Sequence, residues 1–329
     1  MKTFKNPLWD RQAPDPFITY DTQTGYYYCL FTIGNAIQLY RSKALADILK
    51  NDDSIIVVDA RTGVSPEGIK DCVWAPEMHK APDNKWYIYS SASFSEDINN
   101  GEMKKRLFVL QSKTENPFDG FCFKGILDES KVGIDPTIYT DKNLKQYICW
   151  SSFAMGYDRG QVLEIAEMEN PYTMGKKRSV IAYAEKEWEL KPPYVGGSAI
   201  NEGAFFLESA GRLFIIYSGN GAKTEDYGLG VIEYIGGDMC DAKSWKKHPE
   251  PVFVTGNGMY GPGHASFFKS PDEKEVWCAY HAMDRLNPDF IWLPRYINVQ
   301  KFEFDETGYP VKSIPVGWNT PMNVPSGEI

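Results

Sequence analysis

One pattern recurs five times along the chain and limits what it can fold into. A polar residue opens a short run rich in aromatic and β-branched side chains. A turn follows, then a second run of the same kind. The five copies begin at Asp15, Glu77, Asp135, Glu202 and His264. Their turns are 21–25, 82–84, 141–143, 209–211 and 270–273, each carrying at least two of Asp, Asn, Gly, Pro and Ser, the residues that supply tight-turn geometry. Each copy reads as a β-hairpin. The openings are 62, 58, 67 and 62 residues apart, enough for about four short strands and their loops. Further strand-like runs follow the hairpins at 37–41, 55–58, 107–111, 161–166, 228–234 and 297–304, whereas 43–50 is the one stretch with a plausible helical period. Four-stranded antiparallel units repeated around a ring make a β-propeller. The predicted fold is therefore all-β: one five-bladed propeller over residues 1–329, with blades starting near 15, 77, 135, 202 and 264 around a central channel.

Composition agrees and narrows the function. Aromatic residues are 14% of the chain, with 28 Gly and 21 Pro, a mixture suited to short strands and many turns. The aromatics fit either a large aromatic core or a surface that stacks on sugar faces. Acidic residues outnumber basic ones by 44 to 35 and no Lys/Arg block occurs, so a nucleic-acid partner is not expected. No run approaches the ~18 apolar residues of a membrane helix, so no membrane partner is expected either. Cys29, Cys149 and Cys278 each fall 14 residues after a blade opening and read as equivalent core positions. Cys72, Cys122 and Cys240 show no metal-site spacing, and all six read as reduced.

In a propeller the first strand of each blade lines the channel, so the five openings converge at one mouth. Four carboxylates and an imidazole gathered there repel and perturb one another's pKa, a cost that structure alone does not require. Such a cluster serves two chemistries. One is glycoside hydrolysis by paired carboxyl groups. The other is binding a hard cation through oxygen ligands. Zinc-type ligand sets, a Gly-x-Ser-x-Gly elbow and phosphate-binding Gly-Lys loops are absent.

The motifs Ala13-Pro14-Asp15-Pro16-Phe17, Trp74-Ala75-Pro76-Glu77, Gly133-Ile134-Asp135-Pro136-Thr137, Asn201-Glu202-Gly203 and Gly261-Pro262-Gly263-His264 resemble, in order, the blade starts of glycoside hydrolase family 43. That family comprises five-bladed α-L-arabinofuranosidases, endo-arabinanases and β-xylosidases. The resemblance implies Asp15 as the general base that activates water, Asp135 as the group that tunes the acid's pKa and orients the sugar, and Glu202 as the general acid. It implies an inverting reaction. It also implies that His264 sits near a metal ion, often calcium, through water; the alternative is a buried, hydrogen-bonded core histidine. Arg295 matches a late arginine that reaches the sugar or the acid in relatives, against the alternative of a surface ion pair.

Among the remaining candidates, Trp74 reads as a sugar-facing ring and Glu77 as a substrate-side residue that supports the site through hydrogen bonds. Trp9, Phe94 and Trp292 are candidates for the pocket wall or for packing, and His79 and His248 read as structural or solvated. The expected function is release of L-arabinofuranose from arabinan, arabinoxylan or arabino-oligosaccharides of plant cell walls. A β-xylosidase or endo-arabinanase of the same fold is the alternative within the family, and a non-catalytic sugar-binding propeller is the alternative of another class. About fifteen residues remain after Pro315, which leaves no length here for the C-terminal domain carried by many β-xylosidases. Six unpaired cysteines point to the cytoplasm, whereas a polymer substrate points to a secreted or periplasmic protein whose signal peptide has been removed.

Overall fold

The computed structural model describes residues 2–61, 65, 68–96, 104–128, 132–156, 160–191 and 199–328. A short pair, β1 (Thr3–Phe4) with β21 (Met322–Asn323), joins the two ends of the chain. Five antiparallel sheets make up the rest. The first blade runs β2 (Phe17–Asp21), β3 (Tyr26–Leu30), β4 (Ala36–Ser42) and β5 (Ser54–Asp59). The second is β6 (Ile69–Lys80), β7 (Trp86–Phe94), β8 (Arg106–Ser112) and β9 (Phe121–Ile126). The third is β10 (Gly133–Thr140), β11 (Gln146–Ser152), β12 (Val162–Asn170) and β13 (Thr173–Ala182). The fourth is β14 (Asn201–Ser209), β15 (Arg212–Gly219), β16 (Gly228–Tyr234) and β17 (Trp245–Lys247). The fifth pairs β18 (Tyr260–Lys269), β19 (Val276–Met283) and β20 (Tyr296–Phe302). The stretch 43–50 holds a single 3-10 turn, Leu45–Asp47, in place of a longer helix.

The inner strands β2, β6, β10, β14 and β18 contact one another in sequence, and β18 returns to β2. The N-terminal segment fastens this ring by running beside the free edge of β20. Leu8 and Ala13 donate backbone hydrogen bonds to Ile297 and Arg295. The Asn6 side chain bonds both the carbonyl and the N–H of Val299, at 2.8 and 3.0 Å, and so imitates a strand partner. An edge that would otherwise present unpaired backbone groups is thereby covered. Between blades the core is aromatic and aliphatic: Tyr27, Phe31, Phe268 and Trp277 pack between blades five and one, and Ile37, Met78, Ile88 and Phe108 between one and two. Cys29, Cys149 and Cys278 are fully buried in these layers.

The repeated feature is sharper than the sequence pattern suggested. Every inner strand carries one extra residue at the same place, seen as a step of three on the inner strand against two on its partner. The steps run Pro14 to Phe17 against Thr32 to Leu30, Trp74 to Glu77 against Ser91 to Tyr89, and Ile134 to Thr137 against Ser151 to Cys149. They continue with Glu202 to Phe205 against Ser218 to Ile216 and Gly263 to Ser266 against His281 to Ala279. Each is a β-bulge, and its first extra residue has positive φ: Asp15 56°, Ala75 44°, Asp135 56°, Gly203 54° and His264 48°. A bulge re-aims a side chain out of the pleat, and left-handed backbone in non-glycine residues is strained and gathers at functional sites. This corrects the sequence register. Asp15, Asp135 and His264 are equivalent, but Glu202 precedes the bulge by one residue and Glu77 follows it by two.

The bulges are hooked to neighbouring blades. Thr32 Oγ1 accepts the N–H of Ala75 at 2.7 Å, Ser218 Oγ that of His264 at 2.7 Å, and His281 Nδ1 that of Asp15 at 3.1 Å. In each case a residue in or just after the second strand of one blade fixes the bulge of the next.

A buried polar cluster anchors the strand that carries Glu202. Glu189 Oε1 accepts from Lys247 Nζ at 2.6 Å, Tyr217 Oη at 2.8 Å and Asn201 Nδ2 at 2.8 Å, while Oε2 takes the backbone N–H groups of Glu185 and Lys186. Removing one side of a buried ion pair strands the other charge. Glu189→Ala is expected to destabilise the fold by about 3–5 kcal/mol in chemical denaturation.

Candidate active site

Three of the five bulges deliver charged side chains to one channel mouth. Asp15 Oδ1 lies 3.2 Å from Arg295 Nη1 and 3.4 Å from His264 Nδ1. Burial raises the Asp15 carboxyl, but Arg295, His264 and His281 outweigh it and hold the group well below the usual carboxylate range. These partners favour the Asp15 anion. His281 lies beneath it. Burial and the Arg295 charge push its imidazole down to about 3. Its Nδ1 accepts the Asp15 N–H, so the neutral ring carries its proton on Nε2.

Asp135 and Glu202 show the opposite behaviour. Asp135 is raised to about 7 by burial, with His264 opposing and Glu202 and Asp15 adding to the rise. Glu202 is also raised by burial, against His264 and a hydrogen bond from Tyr227 Oη at 2.9 Å. Asp135 Oδ2 accepts the N–H of Gly203 at 3.3 Å, which ties it to the residue after Glu202. Two buried carboxyl groups in mutual repulsion retain a proton near neutral pH. One carboxylate pushed towards its anion beside a pair that shares a proton is the division of labour that acid–base catalysis needs.

Glycines make this crowding possible. A Cβ on Gly203 would stand 2.9 Å from the His264 ring, and one on Gly263 would stand 2.3 Å from the Tyr227 ring. Burial lowers the His264 pKa, but Asp15, Asp135, Glu202 and Glu77 together raise it above its ordinary value. These carboxylates favour the charged form of the His264 imidazole.

The other sequence candidates separate clearly. Trp74 is 37% exposed, occupies the same pre-bulge position as Glu202, and has the Lys105 ammonium 4.8 Å from its ring centre. Glu77 sits two residues past its bulge and bonds His79 Nε2 at 2.8 Å. Arg295 pairs with Asp15, within the site and not on the surface. Trp292 is 62% exposed with its ring 5.1 Å from the Arg295 guanidinium. Phe94 is buried against Phe108 and Phe123, and Trp9 packs on Phe31 and Tyr40, so both are packing residues. His248 bonds Glu233 at 3.0 Å away from the cluster.

Sequence reasoning missed His281, Tyr227 and Ser218. A signal for His281 existed: the residue opposite each pre-bulge position is Thr32, Ser91, Ser151, Ser218 and then His281, so the fifth blade departs from a hydroxyl pattern. Tyr227 lies just outside β16 and has no counterpart in the repeat.

The donor set does not suit a calcium ion coordinated by protein, which takes six to eight oxygen ligands. Among the described residues no three of His, Cys, Asp or Glu stand close enough to share an ion. An ion beside His264 would be held chiefly by water, and no chemical step below runs through it.

The sequence profile of glycosyl hydrolases family 43 matches residues 4–310. The chain is 32% identical over 327 residues to an extracellular exo-α-(1→5)-L-arabinofuranosidase of Streptomyces avermitilis, covering 95% of this chain and 64% of that protein. It therefore spans a little under two thirds of that relative's length. It is 32% identical to a protein of the same description from Streptomyces chartreusis, over 85% of this chain and 82% of the relative. The crystal structure of an α-L-arabinofuranosidase from Lactobacillus brevis superposes with a TM-score of 0.82 at 28% identity, covering 96% of this chain and 98% of that one.

Proposed function

The chain belongs to glycosyl hydrolases family 43, a family of glycosidases, and from that premise we propose that it releases single L-arabinofuranose units from α-1,5-linked arabino-oligosaccharides or arabinan by an inverting reaction. The observation that carries this reading is the pair of opposite shifts around one channel mouth: Asp15 pushed down by Arg295 and His264, and Glu202 pushed up by burial. A purely sugar-binding propeller has no need of that split.

Asp15 accepts a proton from water as the water attacks the anomeric carbon. Glu202 gives its proton to the glycosidic oxygen as the C–O bond breaks and that oxygen keeps the bonding pair. Asp135 keeps Glu202 from ionising early, because a second anion so close is unfavourable. Arg295 keeps Asp15 ionised before the step, and His264 offsets the negative charge of the site. Trp74 presents an exposed ring face at the mouth, suited to stacking on the furanose.

The names of the two Streptomyces relatives support arabinose as the sugar, and the word extracellular in both favours the secreted alternative over the cytoplasmic one. Plant cell-wall arabinan is the proposed polymer source. Product analysis on linear arabinan, branched arabinan, arabinoxylan and xylo-oligosaccharides tests the reading. Arabinose as sole early product supports it. Xylose from xylo-oligosaccharides as the main product would replace it with a β-xylosidase, and arabino-oligosaccharides from linear arabinan with an endo-arabinanase.

Calcium is carried only as a water-held ion on the channel axis with His264 as its main protein contact. His264→Ala is then expected to lower metal content, measured by plasma mass spectrometry, together with activity. Full activity in a folded variant would leave His264 as a core histidine.

A further inference from the structure

We propose that Tyr227 is the positioning residue that places the acid proton of Glu202 on Oε2, the oxygen facing away from it, and thereby aims the proton at the leaving group. The inference rests on the reading of Glu202 as general acid.

The buried hydroxyl of Tyr227 carries the argument. It donates to Glu202 Oε1 at 2.9 Å, the one hydrogen bond seen for that hydroxyl among the described residues. A proton on Glu202 Oε1 would face the hydrogen of Tyr227 and leave that phenol without an acceptor in a buried place, which is costly. The acid proton therefore resides on Oε2.

The ring of Tyr227 cannot swing away. It is fully buried and lies parallel to His281, with planes 2° apart and centroids at 5.6 Å. Its other contact is the backbone of Gly263, where any side chain would collide with it. His281 in turn holds the N–H of Asp15. Tyr227 thus bonds the acid while resting on the residue that fixes the base, which sets the two catalytic carboxyl groups on one rigid support.

In the reaction the proton leaves Oε2 for the glycosidic oxygen and negative charge develops on the carboxylate. The Tyr227 bond to Oε1 is then to an anion and strengthens as the step proceeds. The benefit is greatest where proton transfer matters most, with poor leaving groups.

Tyr227→Phe keeps the ring and the stack and removes only the donor. The variant is compared with the parent on methyl and on 2,4-dinitrophenyl α-L-arabinofuranoside, with thermal midpoints recorded and Glu202→Gln as reference. A hydrogen bond to a developing charge is worth about 10- to 100-fold in rate. We expect kcat on the methyl glycoside to fall by that factor with KM little changed, and kcat on the dinitrophenyl glycoside to fall by less than about threefold. Equal losses on both substrates, or no loss on either, would overturn the assignment. Should Tyr227→Phe fold poorly, 3-fluorotyrosine placed at position 227 keeps the ring and the stack with a more acidic phenol, and is expected to change kcat on the methyl glycoside while leaving the dinitrophenyl glycoside within about twofold; equal changes on both, or none on the methyl glycoside, would equally overturn the assignment. If Glu202→Gln itself shows no substrate split, the general-acid reading fails and Tyr227 falls with it. If Glu202→Gln shows the split and Tyr227→Phe does not, only the Tyr227 assignment is lost.

Discussion

Glu202→Gln is expected to lower kcat on unactivated arabinofuranosides by about 10²- to 10⁴-fold while retaining most activity on the dinitrophenyl glycoside. The amide fills the same volume and still accepts the Tyr227 hydroxyl at its carbonyl oxygen, so the bulge and the hook that fixes His264 are undisturbed. What is lost is a proton on Oε2. A dinitrophenolate leaves without one, whereas an alkoxide does not. The parent should also show a falling alkaline limb in kcat as pH rises through the raised pKa of the buried Asp135 and Glu202 pair, because loss of the shared proton removes the acid. On the acid side the Asp15 carboxyl is held well below the usual range, so activity persists to low pH until the fold itself fails.

Asp15→Asn is expected to lose activity on both substrates, each by about 10²- to 10⁴-fold. Water has to be deprotonated whatever group departs, and an amide cannot accept that proton. The substitution also leaves Arg295 facing a neutral group at 3.2 Å, with no carboxylate to balance it. Asp15→Ala opens a small cavity beside Arg295 and His264, two groups that favour an anion. Azide is expected to restore part of the activity of that variant on the dinitrophenyl glycoside, with glycosyl azide as product. A variant that retained its rate on either substrate would remove Asp15 from the base role.

The hairpin repeat was legible because the second strand of each blade is almost wholly buried and rich in aromatic and aliphatic residues. Of the fourth strands only β5 was legible, as the run at 55–58. β9 has an alternating Phe-Cys-Phe-Lys pattern broken by glycine, β13 is a polar run of Met, Gly, Lys, Arg and Ser, and β17 has three residues. Such outer strands gain order from pairing more than from burial, so their composition carries little signal. The catalytic candidates were found because Asp15, Asp135 and His264 share one bulge, and a bulge constrains residue type. The same bulge explains the register error: Ala75 and Gly203 occupy the irregular position, while Glu77 and Glu202 attract the eye as charges. Tyr227 came from outside the repeat, and His281 holds a repeat position whose contact with Asp15 is made by ring closure, between residues 266 positions apart.

The central claim is that Asp15 and Glu202 act from opposite faces of the sugar, one through a water molecule. Proton NMR during the first minutes of turnover of 4-nitrophenyl α-L-arabinofuranoside reads this directly, before the free sugar equilibrates its anomers. The expected first product is β-L-arabinofuranose, the inverted anomer. Appearance of the α anomer first would mean a covalent glycosyl-enzyme, would make Asp15 a nucleophile in place of a base, and would contradict the account.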